Sequence, residues 1–197
     1  MISSLNKKFF DLSKKLFTFL NENKFIISMF FIMFLLYYFL CDVITMYFDD
    51  YGNASLSYAY NVPNVNGTNY TISQLLEWAK NIYNHFGGRI FYAIMFIIPL
   101  LKHGISNYML VQSVVLTGIV FFIYKIINYY SKENKYKNIV PVIIFTLYNL
   151  IDMAYLRHGI YWASASVLYV WPLLPFFSLL YLYIKTCDKV RENKEFK

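Results

Sequence analysis

Four long apolar runs set the terms for this chain, because they leave no room for an ordinary water-soluble fold. The first extends from about Phe25 to Phe48, with Cys41, Asp42 and Thr45 near its end. The others cover about Ile105 to Asn128, Ile139 to Leu156 and Val167 to Ile184. Crossing a hydrocarbon layer of roughly 30 Å takes roughly 20 apolar residues, and the third and fourth runs stand at the short end of that range. Ile90 to Leu101 is only about half a span, and Pro99 interrupts its end. It reads as a re-entrant or interfacial half-helix that does not cross.

The basic residues test this division. Four spans put Lys7, Lys8, Lys14, Lys15 and Lys24 on one side, with Lys125, Lys132, Lys135 and Lys137, and then Lys185, Lys189, Arg191, Lys194 and Lys197. Only Lys80, Arg89, Lys102 and Arg157 fall on the other side, so 14 of the 18 basic residues gather on one face. That asymmetry is what the positive-inside rule requires, and a fifth span at Ile90 to Leu101 would spoil it. The net charge of +7 thus reports topology and contact with anionic lipid, and needs no nucleic-acid partner. Composition agrees: 58% of the residues are hydrophobic and 15% charged, where a soluble domain carries about 25% charged. Aromatics reach 21%, but alongside abundant Ile, Asn and Lys this reads as an AT-rich coding bias, not as a ligand site.

The expected fold class is therefore all-α: a polytopic membrane protein with about four transmembrane helices. Residues 1–24 form a basic amphipathic segment in which Leu5, Phe9, Leu12, Leu16 and Leu20 recur at helical spacing, as in a helix lying in the inner interface. Residues 25–184 form the membrane domain, with an outer loop of about 49–104, and residues 185–197 form a basic inner tail. The first run is too long for a signal-peptide core and has no convincing cleavage site, which makes it a retained anchor. Cys41 and Cys187 fall on opposite faces, excluding a disulfide between them or a CxxC metal site. The expected location is a bacterial plasma membrane, with both termini cytoplasmic.

The outer loop has its own order. Asn61 to Tyr70 is turn-rich. Thr71 and Gln74 then have capping-box spacing. Ile72, Leu75, Leu76, Ala79, Ile82, Tyr83 and Phe86 repeat as one helix face, with Glu77, Lys80, Asn81 and Asn84 opposite, and Gly87 and Gly88 close the pattern. This predicts an amphipathic helix lying flat on the outer face. Sequons at Asn53, Asn66 and Asn69 read as chance in an Asn-rich chain.

The chemistry available on that face begins with Asp49 and Asp50, directly after the first span. Carboxylates at a bilayer face serve as general bases toward a hydroxyl or as ligands for a divalent cation; any metal would fall to this pair. Arg89, Arg157 and His158 suit a phosphate group, and Trp78 and Trp162 a sugar face. Each has a plainer reading: solvated aspartates, a helix-capping Arg157 and His158, interfacial belt tryptophans. Asp152 lies within the third run, where an acidic group is costly and is usually paired; Arg157 is a candidate partner.

The order of a basic N-terminus, one span, Asp49-Asp50-Tyr51, a flat helix and Gly87-Gly88-Arg89 resembles the amino-terminal half of the GT-C class of polytopic glycosyltransferases. Tyr161 to Leu174 (YWASASVLYVWPLL) looks like a motif of a related bacterial membrane family of unknown function. The resemblance covers roughly residues 43–174. It implies transfer of a sugar from a polyprenyl-phosphate donor to a cell-surface glycan or lipid, with Asp49 or Asp50 at the acidic catalytic position and Arg89 as a phosphate or structural contact. Such transferases have several more spans, so the resemblance also implies a truncated member or one working with a second membrane chain. The alternative is a non-catalytic membrane protein, either a degenerate fragment or a small assembly subunit.

Overall fold

The computed structural model describes residues 2–42, 48–85, 102, 104–131 and 137–192, and these are helical without a strand. The helices are α1 (Ile2–Glu22), α2 (Lys24–Asp42), α3 (Phe48–Ala54), α4 (Ile72–His85), α5 (Ile105–Tyr130) and α6 (Ile139–Asn149). Two short helices follow, α7 (Met153–Tyr155) and α8 (Ala163–Ala165), and then α9 (Leu173–Glu192). α7 runs into a π-turn at Leu156–Ile160 and α8 into another at Ser166–Val170. The half-helix expected at Ile90 to Leu101 and the closing Gly87 and Gly88 lie outside the described residues.

Two helices are long and apolar enough to cross a membrane: α5, and the stretch Ala163–Arg191 that joins α8 to α9. The α1–α2 pair, bent by 75° at Asn23, supplies a third if counted as one span. The described helices thus give two or three spans, not the expected four. The third apolar run is where they part. Its helix stops at Asn149 after 11 residues, about 16 Å at 1.5 Å per residue. The Asp152 carboxylate then accepts the Ala154 N–H at 2.7 Å, opening a new helix where the old one was expected to continue.

Side-chain contacts fix the directions of the bundle. Phe30 of α2 meets Phe121 and Tyr124 of α5 edge-on at 5.5 and 5.7 Å, so these two helices are antiparallel. α9 descends alongside α5: Trp171 stacks over Tyr108, and Tyr181 lies near Phe122 and Tyr129. α6 rises with α2, from Lys137 bonded to Asn23 at 2.7 Å up to Tyr148 against Tyr37 at 4.8 Å. One end of the bundle therefore gathers Asn23, the end of α5 and the end of α9. The other carries α3, α4 and the two π-turns.

That second end has a core of its own. Leu56, Val62, Tyr70, Leu75, Trp78 and Ile82 are buried together with Tyr108, Ala163 and Val167. Thr71 caps α4 as its spacing predicts: its N–H donates to Gln74 Oε1 at 2.9 Å, and Gln74 N–H returns to Thr71 Oγ1 at 3.3 Å. The α4 face divides in a way that periodicity alone does not show. Leu75, Trp78, Ala79 and Ile82 pack inward, while Ile72, Leu76 and Tyr83 remain exposed. The chain also folds back onto α3, with Ser57 and Tyr58 N–H groups both donating to Gly52 O. Leu56 adopts a left-handed φ of 54° in that turn and is wholly buried. The left-handed backbone costs about 1–2 kcal/mol, which burial of a leucine, worth about 1.5–3 kcal/mol, offsets.

Candidate functional site at the aspartate end of the bundle

Asp49 and Asp50 occupy the first turn of α3, where the helix dipole favours negative charge. Their side chains then diverge. Asp50 is completely buried. Its Oδ1 accepts two hydrogen bonds from Ser164, the N–H at 2.8 Å and the hydroxyl at 2.5 Å. Asn53, one turn along α3 and also fully buried, donates from Nδ2 to Ser164 Oγ at 3.0 Å. Asp49 is half-buried, and its Oδ1 accepts the Trp162 indole N–H at 3.1 Å. Two adjacent carboxylates thus meet two residues of the YWASAS segment, one deep in the protein and one at its rim.

The rest of that segment is tied down in the same way. Ser166 donates to Gln112 Oε1 at 3.0 Å, and the Trp171 indole N–H donates to the same oxygen at 2.5 Å. Gln112 Nε2 donates to Ile160 O and to Ser166 Oγ, both at 2.7 Å. Tyr161 forms a very short hydroxyl–hydroxyl bond with Tyr148. Gln112 is fully buried in an apolar helix, a position that is tolerable only because both ends of its amide are engaged. The π-turns make this register possible. Tyr161 N–H reaches Leu156 O and Trp171 N–H reaches Ser166 O, each five residues back, and the wider turns re-aim the residues that follow toward α3 and α5.

The sequence candidates are thus partly assembled. Asp49, Asp50 and Trp162 come together across more than 110 residues of chain. Trp78 sits elsewhere: it is 0% exposed at the centre of the cap core, with its N–H donated to Tyr58 O, so its ring has no surface to offer a sugar. Arg157 and His158 are exposed on the first π-turn. Arg89 lies outside the described residues. Lys102, at the same end, donates to Tyr70 O at 3.1 Å and lies 4.6 Å over the Tyr70 ring; burial pushes that phenol up to about 12. Of the sequons, Asn53 is enclosed and cannot carry a glycan, while Asn66 and Asn69 are exposed at a tight turn.

Ser164, Asn53, Gln112 and Ser166 are the site residues that sequence reasoning passed over. One signal pointed to them: Gln112 and Ser113 are adjacent polar residues inside an apolar run, where such residues commonly bond to a neighbouring helix. Among the described residues no group of three or more His, Cys, Asp and Glu side chains comes together to hold a metal. Among the described residues a divalent cation here would have only the aspartate pair, and Asp50 Oδ1 is already committed to Ser164. No protein-family profile, curated protein or solved structure matches this chain.

Proposed function

We propose that the chain is a membrane-embedded glycosyltransferase-like protein in which Asp49 is the working carboxylate and Asp50 its structural anchor. The supporting observation is the division of labour within the pair. Asp50 is buried and bonded to Ser164, whereas Asp49 stands at the rim beside an indole. A carboxylate next to an aromatic ring is suited to a hydroxylated, partly apolar acceptor such as a sugar. In this reading a polyprenyl-phosphate sugar is the donor. Asp49 takes the proton of the acceptor hydroxyl as its oxygen bonds to the anomeric carbon. The carbon–oxygen bond to the donor phosphate breaks, and the phosphate leaves with the electron pair. Trp162 holds Asp49 Oδ1, leaving Oδ2 to receive the proton.

Further membrane helices from a partner chain complete the site. In support, the Ala163–Arg191 helix has only 6% of its most apolar stretch buried, against 39% for α5. Its outer surface is open to lipid or to another chain.

A second reading is a non-catalytic assembly subunit, favoured by the near-complete use of the YWASAS polar groups in internal bonds. The two part at one substitution. In the native host, Asp49→Asn is expected to accumulate normally in the membrane fraction while surface glycans are lost. Intact glycans with normal accumulation of Asp49→Asn would refute the catalytic role and leave the assembly subunit.

A further inference from the structure

The end of the bundle opposite the aspartates holds a cavity of about 930 Å³ between α2 and α5, at the elbow where α1 meets α2. That is near the upper end of ligand sites, which span roughly 300–1,000 Å³. Its length is lined by apolar side chains, among them Phe31, Phe34, Val114 and Phe121. At one end stand Lys125 and Lys137, both half-buried, with Asn23 and Asn128 beside them. No carboxylate is among the described lining residues. Lys137 donates to Asn23 Oδ1, and Lys125 lies 5.6 Å from the Phe121 ring centroid, so both ammonium groups are held close to the groove.

An apolar trough ending in two lysines has the polarity of an anionic amphiphile, and on a membrane face the abundant one is an acyl chain ending in a phosphate. We propose that this groove binds an anionic phospholipid, one acyl chain lying between α2 and α5 and the phosphate resting between Lys125 and Lys137. The lysines belong to the face where the basic residues of the sequence gather, the side on which anionic headgroups favour Lys and Arg. Half-burial strengthens the pairing, because a desolvated ammonium–phosphate contact is screened less than one on an open surface. The α1–α2 elbow helps to close the groove: Phe19 and Asn23 line it, and the Asn23 side chain also bonds back to Phe19 O. This inference is independent of any chemistry at Asp49.

The test is native mass spectrometry of the full-length protein released from detergent, titrated with phosphatidylglycerol or with phosphatidylcholine of identical chains. The expected result is one tightly retained phosphatidylglycerol per protein. Lys125→Gln/Lys137→Gln should weaken it about thirtyfold, near fivefold per lysine. Val114→Trp, which fills the trough, should lower retention of both lipids. Lys185→Gln/Lys189→Gln removes the same charge from exposed positions on α9 and should leave retention unchanged. Circular dichroism of each variant checks that the helices persist. Equal retention of the two lipids, an unchanged affinity in the Lys125/Lys137 variant, or an equal loss in the α9 control would overturn the proposal. Displacement of the lipid by millimolar inorganic phosphate alone would also overturn it, because the trough would then contribute nothing.

Discussion

Removing the Asp50 carboxylate should do more damage than any other single change at this end of the molecule. Asp50→Ala strips the Ser164 N–H and hydroxyl of their acceptor in a fully buried setting. Hydrogen bonds to a charged group contribute about 1.5–3 kcal/mol each, so two make an upper range of about 3–6 kcal/mol. The Asn53 Nδ2 bond to Ser164 Oγ at 3.0 Å survives the change, which holds the loss toward the lower end of that range. The expected destabilisation is therefore about 3–4 kcal/mol. Ser164→Ala keeps the N–H bond and removes only the hydroxyl, at about 2 kcal/mol. Since both substitutions break the same contact, the double variant should cost less than their sum, with a coupling of about 1.5–2 kcal/mol. Reversible unfolding in mixed micelles of rising denaturing-detergent fraction, followed by circular dichroism, measures all four corners of the cycle. Additivity to within about 0.5 kcal/mol would show that Asp50 and Ser164 do not touch, and the site as described would fall with it.

Other changes follow from the same geometry. Gln112→Leu leaves Ser166 and the Trp171 indole without their shared acceptor and should destabilise the protein by about 2–4 kcal/mol in the same unfolding assay. Little effect would mean that the hub is not formed. Gly52→Ala places a methyl 3.0 Å from Tyr58 Cβ and 3.2 Å from its backbone, which cannot swing aside; a loss of about 1–3 kcal/mol is expected from the same measurement. Gly118→Ala has a different neighbour, the tip of Leu174 at 2.8 Å. That methyl can rotate away, and alanine gains about 1 kcal/mol of helix propensity over glycine, so the unfolding midpoint should barely move.

What the sequence determined by itself is local and periodic. Unbroken apolar runs make α2 and α5, because in hydrocarbon a chain must satisfy its backbone groups internally. The Thr71–Gln74 spacing fixed the start of α4, since a capping box closes within four residues. Residues 161–174 stood out only through the family motif they resemble, and nothing in the pattern gave their serines a role. Tertiary structure alone decided the rest. Periodicity gave α4 one apolar face, but only packing divided it, drawing Trp78 into the core and leaving Leu76 outside. The third run was apolar enough to read as continuous, yet its helix ends at Asn149 because the Asp152 side chain competes for the backbone and starts a new helix. Neighbouring aspartates are equivalent on paper. Their difference comes from partners more than 110 residues away, Trp162 for Asp49 and Ser164 for Asp50, aimed by π-turns whose five-residue closures leave no mark in the apolar pattern.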